Sequence, residues 1–290
     1  MKREGFCIPD RSITCTSCRI AVEELVQAAG LRSASRLLLS DTSLKRRPMP
    51  TYNLSAHVYC REFDDGAILL DLRSGRYLGI NAHDLPMLKA RVENWPSETK
   101  ARVATGLARH CVGYTLTSEL LARGTLTLRP TVIQRGFPPS PETSMTMTGR
   151  AISQHSGSFK QVLRLFLAML QVRLLTGRGR LGPLLTWLER RQHGLPSTGA
   201  PDANGLEVLL SCHCRWRIWF YTAHNHCLFD SLVLSVFLTR NFVPCTFVIA
   251  VATRPFAAHA WVQIGNSVLN DTAEYAQLFQ PLLGVGGGVV

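Results

Sequence analysis

A cysteine, a histidine and an aspartate stand in the order and at the spacing that a thiol hydrolase requires. Cys227 opens the apolar run CLFDSLVLSVFL, His259 lies 32 positions later in AHAWVQI, and Asp271 follows 12 positions beyond it, closing SVLND. A thiol attacks a carbonyl as the thiolate, and its pKa falls at a helix N-terminus or beside an imidazolium. A helix that starts near His226 supplies both to Cys227. In that arrangement His259 takes the thiol proton and later delivers it to a leaving amine, while Asp271 fixes the imidazole tautomer. Singly, each residue has an ordinary structural use as a buried small hydrophobe, a bonded strand histidine or the cap of a following turn. Order and spacing join them.

Holding the three together takes a buried helix and two neighbouring strands. Leu228, Leu232, Val236 and Phe237 recur at i, i+4, i+8 and i+9, a stripe that buries the helix and aims the thiol. Strands are expected near residues 244–251, 258–264 and 267–270, after helices near 157–176, 181–193 and 206–221. Helices ahead of a small antiparallel sheet predict an α+β domain over residues 150–290. His224 and His226 straddle Asn225 just before the thiol. A metal held there would quench the nucleophile, so no metal is assigned. Asn225, or a backbone N–H at the start of the helix, is the candidate oxyanion donor.

Upstream, HVYCREF, AILLDL and RYLGI alternate as strands, with turns at Asp65-Gly66 and Arg73-Ser74-Gly75. Asn81 is the expected N-cap of a helix reaching Trp95, closed by Pro96, with further helical pieces at 98–110 and 117–123. Residues 49–128 thus form a small domain, and residues 129–149, with four prolines, read as a linker. Residues 1–48 hold one amphipathic helix, IAVEELVQAAGLRSASRLLL, and the basic run KRRP. The change of pattern at Met49 makes it a candidate start, with the preceding segment an upstream extension.

The 290 residues leave room for two modest domains. Nine unevenly spaced cysteines fit a reducing cytoplasm rather than a disulfide scaffold. Neither Cys15/Cys18 nor Cys212-His213-Cys214 has a second pair at zinc-site spacing. The net charge of +12 is concentrated: residues 150–194 hold eight Arg/Lys against Glu189 alone, whereas residues 195–290 hold four bases and five acids. Such a patch is a solvated helix face or a meeting place for a partner. The longest apolar run, QVLRLFLAMLQVRLL, carries Arg164 and Arg173 and does not read as a membrane span. GVGGGVV near the end lacks the Lys-Ser/Thr of a phosphate-binding loop.

The stretch CLFDSLVLSVFLTRNFVPCTFVIAVATRPFAAHAWVQIGNSVLND resembles the transglutaminase-like cysteine protease domain of lasso-peptide maturation B proteins. There a CLxxSLxL helix is followed by a strand, PFxAHAWV and a short strand ending in the acid. By this resemblance Cys227 matches the nucleophile, His259 the general base and Asp271 the orienting carboxylate. Asp230 and Gln263 depart from the pattern, standing where many relatives have Arg and Glu. The upstream motif D-G-x-x-L-L-D-L-x-S-G-x-Y-x-x-x-N is similar to the precursor-peptide recognition element of peptide-modifying systems, and to the small peptide chaperone of pyrroloquinoline-quinone biosynthesis.

That likeness implies a leader peptide paired as an added strand along Arg76, Tyr77, Leu78, Gly79 and Ile80, beside a groove helix near Thr117 to Arg123. A DNA-reading winged helix would need several basic or amide side chains, and TSELLARG offers only Arg123, so no nucleic acid is expected. The implied fold is α+β: a small three-stranded, winged-helix-like domain joined by a linker to a papain/transglutaminase-like domain. The implied activity is removal of the leader from a lasso precursor peptide in the bacterial cytoplasm. A separate, asparagine-synthetase-like cyclase would use ATP, and this chain would need no cofactor of its own. An acyltransferase using the same triad and a non-catalytic leader carrier are the alternatives.

Overall fold

The computed structural model describes residues 51–96, 109–131, 137–145, 157–177, 180–195, 203–221 and 226–286. The N-terminal segment 1–48, the Met49 boundary and Asn225 lie outside them.

Strands β1 (Asn53–Leu54), β2 (Val58–Phe63), β3 (Gly66–Asp71) and β4 (Arg76–Asn81) begin the described chain. The last three form an antiparallel meander in the order β2-β3-β4. Gly66 makes its first turn possible: with φ at 146°, a Cβ there would stand 2.0 Å from the Ile80 carbonyl oxygen. The alternation along β3 divides its side chains between two cores. Ala67 and Leu69 pack with Val58, Cys60 and Ile80, whereas Ile68 and Leu70 join the large core of the C-terminal half.

Helices α1 (Leu85–Arg91) and α2 (Arg109–Ala122), with β5 (Leu126–Thr127) paired to β1, close the small core through Leu88, Leu120 and Leu126. Three expectations change here: in place of separate pieces at 98–110 and 117–123, Arg109–Ala122 form one helix, and residues 98–108 lie outside the described ones. Asn81 ends β4 instead of capping a helix, and α1 starts after Asp84. The helix also stops at Arg91, short of Trp95, because Tyr52 takes over the backbone there. Its N–H donates to Arg91 O, and its carbonyl accepts from Glu93.

The C-terminal half comprises α3 (Phe159–Thr176), α4 (Gly182–His193), α5 (Ala203–Arg217) and α6 (Cys227–Arg240). Beside them lies a five-stranded sheet in the order β10-β7-β8-β9-β6. Its members are β6 (Thr143–Ser144), β7 (Thr246–Thr253), β8 (Phe256–Ile264), β9 (Ser267–Val268) and β10 (Gln280–Gly286), with the short α7 (Ala273–Ala276) before β10. Ser158 starts α3 with a reciprocal capping box to Gln161. Helix α6 is buried from Asp230 through Thr239, all round rather than on one stripe, which marks it as the central helix.

Four strands escape the sequence reading, the short paired β1 and β5 among them. β10 ends in glycines that resemble a loose tail, yet it pairs antiparallel with β7. A Cβ on Gly286 would lie 2.1 Å from the Cys245 carbonyl oxygen, so glycine permits this close pairing. β6 lies inside the Pro-rich stretch expected as a linker and pairs parallel with β9. Pro139 and Pro141, which cannot donate, instead lend their carbonyls to Gln263 and Gln277.

The small sheet sits directly on the C-terminal half. The Leu181 N–H donates to Leu72 O at 3.2 Å, Arg254 pairs with Asp65 at 2.9 Å, and the Tyr77 and Phe256 rings meet edge-on. A 540 Å³ cavity opens at this junction, lined by His57, Tyr59, Arg180 and Leu282 among others. It adjoins β10, which β7 separates from β8.

Candidate functional site

Cys227 is the first residue of α6, and the helix is fixed there by the edge of β8. β9 pairs with β8 only at Gln263 and Ile264, which leaves the earlier part of that edge to the first turn of α6. Ser231 Oγ donates to the Ala260 carbonyl at 2.8 Å and docks that turn. Past β9 the chain stays beside β8: the Leu269 N–H donates to Val262 O, and the Val262 N–H donates to Asn270 Oδ1 at 2.9 Å. Asp271 is thereby delivered to His259. The imidazole Nε2 lies 2.6 Å from Asp271 Oδ2, and the other carboxylate oxygen accepts the Thr272 N–H at 2.7 Å. The Cys227 thiol is hydrogen-bonded to His259, and the backbone N–H groups of Ala260 and Leu228 are directed at its sulfur. With Nε2 engaged by the carboxylate, Nδ1 is the nitrogen left for the thiol.

The charges follow from these contacts. Burial alone would raise the Cys227 pKa, but the bond and charge of His259, with the two amides, outweigh it and bring the thiol below its ordinary value. For His259 burial works downward, and the bonds from Asp271 and Cys227 overcome it, raising the imidazole to about 9. Tyr275 meets the ring edge-on at 5.0 Å and Phe279 lies at 5.1 Å, an aromatic surround that suits a cationic ring. The arrangement favours a thiolate beside an imidazolium. Burial instead raises Cys212 to about 11 and Cys245 to about 12, and it raises Cys60 and Cys214 as well. Among the described cysteines, Cys227 is the thiol that its surroundings activate.

A second polar cluster lies one turn further along α6. Asp230, 1 % exposed, receives Arg217 at 2.9 Å and Asn270 Nδ2 at 3.2 Å, with His213 Nε2 at 3.4 Å. Asn270 also donates to Ser231 Oγ at 2.9 Å. Asn270, the residue next to Asp271, thus ties this cluster to the thiol site, and the sequence reading singles out neither it nor Arg217. One signal was available: an ionisable residue inside an apolar helix has to find partners. Gln263 accepts Trp261 Nε1–H and donates to Pro139 O, a bracing role for the strand that carries His259.

In the small domain, β4 has β3 as its sheet neighbour and lies at an edge of the sheet. The Ala82 N–H donates to Asp65 O, so by strand alternation the amides of Arg76, Leu78 and Ile80 point towards β3, and that of Gly79 points away. Ile80 is buried, Leu78 packs on the small core, and Tyr77 packs on the large one. In α2, Thr117 is buried and Arg123 is paired with Glu119. Among the described residues no group of three or more His, Cys, Asp or Glu is placed to hold a metal ion, and no helix is long and apolar enough to cross a membrane.

Residues 168–284 match the model of a protein family described as the transglutaminase-like superfamily. No curated protein matches the chain, and neither does any solved structure.

Proposed function

From a transglutaminase-like domain over residues 168–284, mixed α+β with a small three-stranded sheet seated on it, we propose a cysteine protease that removes the leader from a lasso precursor peptide. The observation that carries this reading is the convergence of Cys227, His259 and Asp271, with thiol and imidazole bonded and the carboxylate 2.6 Å from Nε2.

The chemistry follows from the geometry. The Cys227 thiolate attacks the scissile carbonyl carbon, and a C–S bond forms while the carbonyl oxygen gains charge. In this reading the Cys227 N–H, at the positive end of α6, receives that charge. His259 then gives its proton to the leaving amine as the C–N bond breaks. In the second half the neutral imidazole takes a proton from water, which hydrolyses the thioester and releases the thiolate. Asp271 keeps the imidazole oriented throughout.

In this reading β4 holds the leader as an added strand, with the outward Gly79 amide donating to it. Tethering the leader beside the thiol raises the effective substrate concentration. An ATP-using, asparagine-synthetase-like cyclase then closes the macrolactam on the freed N-terminus.

Mass spectrometry of a lasso precursor incubated with the protein tests the reading. Wild type should release the leader, and Cys227→Ala should abolish release while still binding it. Cleavage by Cys227→Ala would overturn the assignment, and an amine adduct in place of the acid would indicate an acyltransferase. Gly79→Pro removes the outward N–H at an edge position where an added side chain meets nothing within 4 Å. It should weaken leader binding by about tenfold, the equivalent of one backbone hydrogen bond. Alkylation of Cys227 by a small reagent should be unchanged.

A further inference from the structure

Helix α3 is apolar on two opposite faces. Leu165, Ala168, Met169 and Val172 are buried against the core. Phe159, Leu163, Phe166, Leu167, Leu170 and Leu174 are all exposed, Phe159 by 85 % and Leu174 by 70 %. Their spacing of i, i+4, i+7, i+8, i+11 and i+15 confines them to one arc about 100° wide. The same rotation sets exposed Lys160 at one border of the arc and exposed Arg173 at the other, and α3 contains no acid. The turn after α5 extends the ridge. The Phe220 ring meets that of Phe166 edge-on at 5.1 Å, and Ile218 and Trp219 beside it are 66 % and 75 % exposed. Contiguous exposed apolar surface of this extent marks an interaction site.

Charge selects the occupant. Residues 1–48, the amphipathic segment of this chain, carry nine Lys/Arg against five Asp/Glu, a net +4. That sign is wrong for a ridge bordered by cations. A second copy placed face to face would bring the same cationic borders together. An anionic surface matches those borders instead. The ridge exposes Phe, Leu and Trp, with Lys and Arg at its borders. On a bilayer those long side chains reach headgroup phosphates while the apolar arc enters the acyl boundary. We propose that α3 and the 218–220 turn dock the protein on the surface of an anionic lipid bilayer, with no segment crossing it. The inference is independent of the thiol chemistry.

Co-sedimentation of the full chain with lipid vesicles tests it. Vesicles of phosphatidylcholine containing phosphatidylglycerol should bind the protein at low salt, and both high salt and pure phosphatidylcholine should weaken binding. The double substitution Leu163→Glu and Leu170→Glu should reduce partitioning by about tenfold or more, since each change removes an inserted side chain and adds a repelled charge. Both residues are exposed, so the melting curve should not move, and Lys160→Gln with Arg173→Gln gives a second, charge-only variant with a smaller loss. Absence of binding to anionic vesicles, or binding undiminished by the glutamates, overturns the proposal. So does a solution dimer that the glutamates disperse, or cross-links from residues 20–39 to α3 in vesicle-free protein.

Discussion

Two aspartate–histidine contacts lie beside helix α6, one at Cys227 on its first residue and one made by Asp230 a turn later, and they have opposite consequences. At the tip, His259 next to Asp271 is raised to about 9. Within the core, His213 next to Asp230 is lowered to about 4, with burial the largest cause. A carboxylate is present in both, so the carboxylate alone does not decide. His259 bonds Asp271 and the Cys227 thiol, and both favour its charged form. His213 is wholly enclosed and shares Asp230 with Arg217, whose fixed charge pairs with one oxygen of that carboxylate and works against a second cation beside it. Asp230 itself is pulled below its usual range, since His213 and Arg217 together outweigh its burial. With His213 neutral at neutral pH, Arg217 is the cation that counts. One cluster stores a mobile proton, and the other is a neutral imidazole beside a closed ion pair.

The largest test of this contrast is Asp271→Asn. It leaves the shape intact but removes the bond that raises His259, and kcat should fall by about 10²- to 10⁴-fold. In the wild type, kcat/KM should rise as the Cys227 thiol ionises, at a pH below the ordinary thiol range, and fall above about 9 as the imidazolium loses its proton. In the variant the alkaline limb should move to lower pH. An unmoved limb would sever Asp271 from the proton inventory of the site.

Asp230→Asn comes next. It leaves Arg217 without its carboxylate in a mostly buried place, and a loss of about 2–4 kcal/mol in chemical denaturation is expected. Some activity should survive, because Asp230 is linked to the site through Asn270 and touches neither the Cys227 thiol nor the His259 imidazole. The smallest effect tests the comparison most directly. Arg217→Met removes the charge that holds His213 down, so the His213 resonances should titrate above their starting value of about 4. The His259 titration should stay where it was.

Most of the thiol site was legible because its elements announce themselves in two periodicities. The apolar run after Cys227 forms α6, and alternation in AHAWVQI forms β8 and sets His259 and Trp261 on one face. The small meander was equally readable, since Gly66 and Gly75 punctuate three alternating strands. What sequence withheld was long-range. Asn270 gives no sign that it will reach Val262, Asp230 and Ser231 at once. β10 and β6 lack β-branched runs and become strands because β7 and β9 offer them open edges. α1 ends where Tyr52, forty residues upstream of it in the chain's pairing with Val92, captures its backbone.

The division of β3 between two cores bears on how the molecule behaves as it warms. Ile68, Leu70 and Leu72 belong to the same apolar interior as α6, so the small sheet cannot detach without opening the floor of the thiol domain. The two halves therefore melt together. A peptide bound to β4 at about a hundredfold above its dissociation constant would add roughly 2.7 kcal/mol to that shared transition. If β4 captures a peptide as proposed, that capture at one end of the protein would tighten the scaffold of the Cys227 thiol at the other.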